Sequence, residues 1–323
     1  MLDNFMCNSN LVEEKYVIGI DGGGTKTEFV LCSESGRILS RLKLSRSNPN
    51  DIGLEKSCEV LAEGIDRLLK DSPPVCGIFA GIAGCLTGDN AKKVKGFLAD
   101  RYPLIDVNVD TDGVNVLSCN SDFADSMALI CGTGSVLLAR EKGRLHRIGG
   151  WGYLFDEAGS AYDIGKDAIK AVLGQLDGLG EDTMLTDLLK KEMQDEIWET
   201  LTVIYQKGKA YIASLAPIVF RAHAMGDKVA EKILHKNAEN LALLIATAMK
   251  RYNCGRSVVA CGGLIENFRD VLVPMVTEIL DEEVEFIFPK VPPVYGACVE
   301  GFRRGNIMPD RKFYERFCAE YIW

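Results

Sequence analysis

A glycine turn between two apolar strands restricts the fold of this chain more than any other feature of its sequence. Residues 18–30 read IGIDGGGTKTEFV, and β-branched and aromatic residues predict strands over residues 16–20 and 28–32. A second strand follows the glycines, whereas the P-loop and the GxGxxG dinucleotide motif both open a helix. The sequence therefore predicts a β-hairpin with the following tip: Gly22, Gly23, Gly24, Thr25, Lys26 and Thr27.

The tip has the composition of an anion-binding turn. Glycine tolerates positive φ angles, so these residues can expose successive backbone N–H groups, and no Cβ would block an approaching oxygen. The hydroxyls of Thr25 and Thr27 and the ammonium of Lys26 would complete the site. The alternative is a tight hairpin whose glycines serve only its geometry.

The same pattern recurs later in the chain. Residues 127–140 read MALICGTGSVLLAR, again a strand, a glycine turn and a strand, and the turn contains Gly132, Thr133, Gly134 and Ser135. A third cluster, Gly262 and Gly263, follows a predicted strand over residues 257–260 and would leave bare backbone for a base or a ribose. The repetition predicts a duplicated α/β unit whose two turns face each other across a nucleotide-binding cleft.

The length predicts two lobes, because a chain of 323 residues exceeds the roughly 250–300 residues at which a single core stops growing. We expect an N-terminal α/β lobe over residues 1–118 and a larger lobe over residues 119–305, with the C-terminal segment 306–323 packing back on the first. Apolar spacing predicts helices over residues 57–70, 92–99, 163–173, 185–191, 209–224 and 228–251.

Composition restricts the partners and the compartment. A net charge of −9 and a pI of about 5.1 offer no general attraction to nucleic acid or to an anionic membrane. The eleven cysteines are scattered without CxxC pairs, which favours reduced thiols. The N-terminus lacks the pattern of a signal peptide, and the longest apolar run, residues 241–249, is far shorter than the roughly 18 residues of a membrane span. We expect a soluble cytoplasmic protein.

Carboxylates are the candidate catalytic groups. The chain has three histidines, and two of them lie in helix-like segments. The sequence VNVDTDG places Asp110 and Asp112 at the end of an apolar strand, where ligand-facing residues of α/β sheets emerge. An Asp there can accept a hydroxyl proton during phosphoryl transfer. Asp21, beside the first glycine turn, suits Mg²⁺ bound through water, since that ion takes few carboxylates.

The run GGWGYLFDEAGSAY, residues 149–162, has neither a helical nor a strand period. Its adjacent acids, Asp156 and Glu157, could accept hydrogen bonds from several hydroxyls of a sugar. The alternative is a helix N-terminus, where acids are favoured by the helix dipole.

These motifs, together with PPVYGA near the C-terminus, resemble the BadF/BadG/BcrA/BcrD-type ATPases, and in particular their N-acetylglucosamine kinase branch. The resemblance extends over residues 16–305. It implies the fold of actin, Hsp70 and sugar kinases: a two-lobed α/β structure of duplicated ribonuclease H-like domains with ATP in the interlobe cleft.

The resemblance implies that the chain uses ATP and Mg²⁺ to phosphorylate an amino sugar, N-acetylglucosamine first, at its 6-hydroxyl. Asp112 would be the catalytic base and Asp21 would serve Mg²⁺. The phosphates would contact Gly22, Gly23, Gly24, Thr25, Lys26, Thr27, Gly132, Thr133, Gly134 and Ser135. The adenosine would contact Gly262 and Gly263, and the sugar would contact Asn48, Gly150, Trp151, Gly152, Asp156 and Glu157.

Some alternatives stay open. Eukaryotic members of the family carry GDEGS where this chain has DEAGS with Ala158, so glucosamine and N-acetylmuramic acid are further candidate substrates. An activase of the same superfamily would hold an iron–sulfur cluster through two cysteines per chain, and Cys131 precedes its GTG turn. A ROK-type glucokinase usually carries a zinc-binding cysteine run, which this sequence lacks. A sensor that binds sugar and ATP without turnover, and a homodimer, also stay open.

Overall fold

Two five-stranded sheets of the same topology organise this protein, whose computed structural model describes residues 14–119 and 125–321. The N-terminal part contains β1 (Tyr16–Gly22), β2 (Lys26–Ser33), β3 (Ile38–Ser45), α1 (Pro49–Ile52), α2 (Leu54–Leu69), β4 (Gly77–Ile82), α3 (Asn90–Arg101), β5 (Asp106–Asp110) and α4 (Asp112–Leu117). The middle contains β6 (Met127–Cys131), β7 (Ser135–Glu141), β8 (Arg144–Gly149), α5 (Ala161–Leu176), α6 (Leu185–Met193), α7 (Ile197–Ser214), α8 (Ala216–Ala224), α9 (Lys228–Arg251), β9 (Ser257–Cys261), α10 (Gly263–Asn267), α11 (Arg269–Ile279) and β10 (Glu285–Ile287). The C-terminal part contains α12 (Pro293–Arg304) and α13 (Arg311–Glu320).

The two sheets are built in the same way. The strand orders are β3-β2-β1-β4-β5 and β8-β7-β6-β9-β10. In each sheet the first strand is central, forms an antiparallel hairpin on one side, and pairs in parallel with a later strand on the other. This correspondence confirms the duplication predicted from the two glycine hairpins.

The chain divides into two units, one inserted in the other. The first comprises Met1–Ser121 and Val291–Trp323, and the second Asp122–Lys290. The predicted second lobe extended to residue 305, but residues 291–305 belong to the first unit because α12 packs on β1 and β4. Helix α12 and strand β1 approach so closely that a Cβ on Gly19 would lie 2.6 Å from Cys298 Sγ.

Each unit has its own apolar core. In the first, helix α2 buries Leu61 and Ile65 against Ile18 and Ile78 of the sheet, and each fully buried aliphatic side chain stabilises the fold by roughly 1.5–3 kcal/mol. In the second, α9 covers the sheet over the length predicted from its apolar spacing. Its first turn is capped by Asp227, whose carboxylate accepts a hydrogen bond of 2.8 Å from Ala230 N.

The helix predicted over residues 209–224 is in fact two helices. Gly208, whose φ of 66° is not helical, interrupts α7 just before the predicted start at residue 209, and α8 begins separately at Ala216 with a proline in its first turn. Proline lacks the N–H that would continue the preceding helix but fits the first turn of a new one. Within residues 14–119 and 125–321, none of the helices combines the length and apolarity that crossing a membrane requires.

Candidate functional site

The first glycine hairpin keeps an extended backbone up to its tip. The β1–β2 pairing continues to Gly22 opposite Thr27, and Gly23 N donates to Lys26 O at 2.9 Å. Gly22, Gly23 and Gly24 do not have positive φ, so this hairpin does not use the tolerance of glycine for such angles. Gly22 is required instead by a close approach, because a Cβ there would lie 2.5 Å from Ser47 Oγ.

The tip of this hairpin nevertheless offers donors to an anion. Gly24, Thr25 and Lys26 are exposed. The N–H groups of Gly24 and Thr25 form no hydrogen bond, and Lys26 forms no ion pair, with any residue that the structure describes. Two unpaired amides, a hydroxyl and an ammonium at one turn are suited to phosphate oxygens.

Thr27 has a different place from the one predicted. Its side chain is fully buried, and its Oγ1 lies 2.7 Å from Ser45 O and 2.8 Å from Ser47 Oγ. The hydroxyl therefore connects the hairpin to the segment that leads into Asn48, and it does not point to the exposed tip.

The second hairpin repeats this arrangement. Gly132 N donates to Gly134 O at 2.9 Å, and Thr133 and Gly134 are exposed with N–H groups that bond no described residue. Ser135 is buried, and its Oγ donates to Ala158 O at 2.6 Å. Like Thr27, Ser135 supports the hairpin from inside and is not an exposed phosphate ligand.

The third glycine cluster lies beside the second hairpin. Strands β6 and β9 are neighbours, and a Cβ on Gly132 would lie 3.6 Å from Gly263 N. Gly262 has φ 108°, and a Cβ there would lie 2.5 Å from Cys131 O. The Gly262 N–H donates to Glu266 Oε1 at 2.9 Å and is therefore occupied. The exposed Gly263 is the residue of this cluster whose backbone a base or a ribose could approach.

Two carboxylates lie near the carboxyl ends of parallel strands in the first unit. Asp21 is the penultimate residue of β1, and burial raises its pKa to about 6, to which the nearby charge of Asp112 adds. Asp112 is the first residue of α4, its Oδ1 accepts from Thr111 Oγ1 at 2.9 Å, and burial raises its pKa. Asp110 instead lies 3.9 Å from the guanidinium of Arg304. Asp112 is thus the acid that accompanies Asp21.

The residues present fit a magnesium ion that arrives with a nucleotide. No group of three or more His, Cys, Asp or Glu side chains that could hold a metal occurs in the described ranges. Mg²⁺ commonly keeps several waters and takes one or two carboxylates together with substrate phosphates. Asp21, partly buried and adjacent to the hairpin tip, matches that requirement.

Asn48 is fixed as a helix cap with its amide nitrogen available. Its Oδ1 accepts from Asn50 N at 2.9 Å, which leaves Nδ2 to donate to a ligand oxygen. A hydrogen-bonded network that the sequence did not predict surrounds it: Asn50 Nδ2 donates to Thr87 Oγ1 at 3.0 Å, and Asn90 Nδ2 donates to Asn50 Oδ1 at 3.2 Å. These amides join α1 to the loop before α3.

The loop between β8 and α5 is closed by Asp156, whose Oδ2 accepts from Trp151 N at 3.1 Å. Trp151 is 65% exposed, and Gly150 and Gly152 on either side have positive φ. Helix α5 begins only at Ala161, so Asp156 is not part of a helix N-terminus.

Glu157 differs from its neighbour. It pairs with Lys166 at 2.9 Å and lies 3.9 Å from Lys236, and the hydrogen bond from Lys166 lowers its pKa. A carboxylate already engaged by lysine is a weaker acceptor for sugar hydroxyls. Of the two acids, Asp156 is therefore better placed to shape a sugar site.

Comparison with known proteins assigns the family. The model of the BadF/BadG/BcrA/BcrD ATPase family matches residues 18–301. The N-acetylmuramic acid/N-acetylglucosamine kinase of Clostridium acetobutylicum is 31% identical over 294 residues, which are 86% of this chain and 92% of that protein. The N-acetyl-D-glucosamine kinase of Dictyostelium discoideum is 29% identical over 281 residues, which are 79% of this chain and 87% of that protein.

A candidate N-acetylglucosamine kinase from Chromobacterium violaceum has a solved structure with a TM-score of 0.67 at 24% identity, covering 88% of this chain and 98% of that one. At this identity the likeness shows a shared fold, and it confirms the predicted two-lobed, actin-like α/β architecture. Because the family model and the clostridial relative both cover most of the chain, this protein belongs to the BadF/BadG/BcrA/BcrD ATPase family.

Proposed function

We propose that this protein is an ATP-dependent kinase that phosphorylates the 6-hydroxyl of an amino sugar, with N-acetylglucosamine as the first candidate. The observation that carries the proposal is the position of two buried carboxylates, Asp21 near the end of β1 and Asp112 just after β5, close enough for the charge of Asp112 to raise the pKa of Asp21, together with a hairpin tip that has unpaired donors. The names of the two relatives support the substrate class.

Asp112 is the proposed base. Thr111 holds one of its carboxylate oxygens, and helix α4 fixes its backbone. In a loose phosphoryl-transfer transition state the hydroxyl proton leaves late, so a carboxylate with a moderately raised pKa suffices. Asp112 orients the sugar hydroxyl and accepts its proton.

The exposed donors of the two hairpins are the proposed phosphate ligands: Gly24, Thr25, Lys26, Thr133 and Gly134. Donors fixed in advance stabilise charge on the transferring group without reorganisation during the reaction. Mg²⁺ bound with ATP would neutralise part of the phosphate charge, and Asp21 is the residue that would hold it. Thr27 and Ser135 keep the hairpins in place from inside.

The amide nitrogen of Asn48 and the loop closed by Asp156 are the proposed sugar contacts. An amide donor and a carboxylate acceptor together satisfy a ligand that carries both hydroxyl and acetamido oxygens. We also propose a cytoplasmic location, which the scattered cysteines and the acidic composition of the chain support.

The structure disfavours the activase alternative. Cys131, the candidate cluster ligand, is fully buried in the core of the second unit, and burial raises its pKa to about 12. A metal ligand must be a thiolate, which such an environment opposes.

The test is ADP release with Mg²⁺-ATP and a panel of N-acetylglucosamine, glucosamine, N-acetylmuramic acid, N-acetylmannosamine and glucose, with a control that lacks sugar. We expect release that depends on one amino sugar. The Asp112→Asn variant should lose kcat by a factor of about 10²–10⁴ while sugar binding is largely kept. Release without any sugar would point to an activase, and no release would point to a sensor.

A further inference from the structure

Asn115 is a buried amide that contacts Asp21, one of the two carboxylates of the proposed site. It follows Asp112 by one turn of α4 and has no exposed surface. Its Nδ2 donates to Asp21 Oδ1 at 2.8 Å and lies 3.3 Å from each of the carbonyl oxygens of Ile20 and Gly81. The amide thus contacts β1 and β4 at the point where both strands end.

Two glycines pack closely against Asn115, Gly81 against its side chain and Gly296 against its backbone. A Cβ on Gly81 would lie 2.2 Å from Asn115 Oδ1, and a Cβ on Gly296 would lie 1.8 Å from Asn115 O. Gly296 is the glycine of the PPVYGA motif, to which the sequence alone assigned no role. A position that restricts its neighbours on two other elements to glycine is tightly specified by the fold.

Packing alone does not explain an amide at this position. The Oδ1 of Asn115 is buried and has no hydrogen-bond partner among the described residues. An unpaired buried acceptor destabilises a protein, and an apolar side chain of similar size would avoid that loss. The benefit of the amide must therefore come from its donor side, where the shortest bond is made to the Asp21 carboxylate.

We propose that Asn115 is a positioning residue that fixes the orientation of the Asp21 carboxylate for the Mg²⁺ of a bound nucleotide, an inference that rests on the proposed function. A hydrogen bond from an amide to a carboxylate is charge-assisted and directional. The backbone carbonyls of Ile20 and Gly81 hold the amide itself, so the orientation of the carboxylate is fixed relative to strands β1 and β4. Groups that orient a metal ligand in this way contribute strongly to metal affinity.

The experiment measures ADP binding by calorimetry, with excess Mg²⁺ and with EDTA, for the wild-type protein and Asn115→Ala. We expect the wild-type protein to bind ADP more tightly with Mg²⁺ than with EDTA. In the variant this gain should fall by about tenfold, at the low end of what supporting residues of metal ligands contribute, while the Kd in EDTA changes by less than about twofold. Asn115→Leu fills similar space without polar atoms and provides a second variant if Asn115→Ala folds poorly.

Asn237 provides a matched control in the second unit. It is also fully buried, its Nδ2 donates to Asp167 Oδ2 at 3.2 Å and to Ile233 O at 2.8 Å, and its Oδ1 also lacks a partner among the described residues. Asn237→Ala should lower the unfolding temperature as Asn115→Ala does, but leave the effect of Mg²⁺ on ADP affinity unchanged.

Four outcomes overturn the inference. An unchanged Mg²⁺ effect in both Asn115 variants would show that the amide is only structural. The same effect in Asn237→Ala as in Asn115→Ala would assign the loss to general destabilisation. A wild-type protein that binds ADP equally with Mg²⁺ and with EDTA would remove the role of Asp21. If the wild-type protein bound no nucleotide at all, the proposed function would fail together with the inference.

Discussion

Gly134 provides a direct test of whether the glycine hairpins bind phosphate. Its φ lies outside the left-handed region, and a Cβ built on it would meet no atom within 4 Å. The fold therefore does not require glycine at this position. Gly134→Ala should leave the free energy of unfolding unchanged or raise it by about 0.4–1 kcal/mol, because alanine reduces the entropy of the unfolded chain.

Nucleotide binding should respond in the opposite direction. If phosphate oxygens approach the N–H groups of Thr133 and Gly134, an added methyl group at the tip displaces them. The loss of one hydrogen bond to a charged group corresponds to about 1.5–3 kcal/mol, which is about a 10- to 150-fold increase in the Kd of Mg²⁺-ADP. Calorimetric titration gives the Kd, and urea denaturation of the same sample gives the stability.

Gly96 is the matched control, since it is exposed on α3, has no left-handed φ, and its added Cβ would also meet no atom within 4 Å. Gly96→Ala should stabilise the protein by about 0.5–1 kcal/mol, as alanine does within helices, and leave the Kd unchanged. A Gly134→Ala protein with normal ADP affinity would refute the assignment of this hairpin to the phosphates. A strong loss of stability in that variant would show that the tip is constrained by contacts of another kind.

Two further changes test the acids of the site. Asp156→Asn should raise the KM for the sugar by about tenfold, because the Asp156 carboxylate closes the loop through Trp151 N and one charged hydrogen bond is worth about 1.5 kcal/mol or more. Glu157→Gln should change this KM by less than about threefold, because Lys166 already holds the Glu157 carboxylate. Equal changes in KM for the two variants, measured by steady-state kinetics, would contradict the different roles given to the two acids. The pKa of Asp21 in the folded protein is about 6, above the value near 3.9 of an exposed Asp in the unfolded chain. The folded state therefore favours the protonated carboxyl, and the free energy of unfolding falls as the pH rises from about 4 to about 6. In metal-free urea denaturation Asp21→Asn should therefore match the wild-type protein near pH 4 and exceed it by about 2–3 kcal/mol at pH 7, whereas a constant difference across this range would exclude the raised pKa.

The hairpins and most helices could be predicted because their signals are local. The strands around each glycine turn are continuous apolar runs, as expected for strands buried on both faces, and α9 shows its apolar period over its full length. The duplication followed from the two hairpins alone. The break between α7 and α8 was missed because an apolar period continues across it.

Side-chain direction in the hairpins could not be predicted. Thr27 and Ser135 each occur at the start of a second strand, where successive residues point to opposite faces and the register decides which of them is buried. Only the structure shows that their hydroxyls point inward, because they donate hydrogen bonds to the backbone oxygens of Ser45 and Ala158. A hydroxyl residue in a glycine turn is thus weaker evidence for a phosphate ligand than an exposed backbone amide.

Asn115 was missed for a different reason. Within the sequence GVNVL, residues 113–117, it is the single polar side chain among apolar ones, which indicates nothing specific. Its role depends on Asp21, Gly81 and Gly296, which are far apart in the sequence and meet only in the folded first unit. Residues that act through long-range contacts leave no local pattern.

The insertion of one unit within the other determines the order in which the protein can be completed on the ribosome. Domains generally fold as they emerge, beginning with the N-terminal one. Here the N-terminal sheet lacks α12 and α13 until the second unit has been synthesised, and only then can Gly19 and Val17 of β1 make their contacts with Cys298 and Gly301. The second unit is continuous in sequence and can finish first, so the N-terminal sheet, although its five strands are already synthesised, lacks the covering helix α12 while the second unit is made.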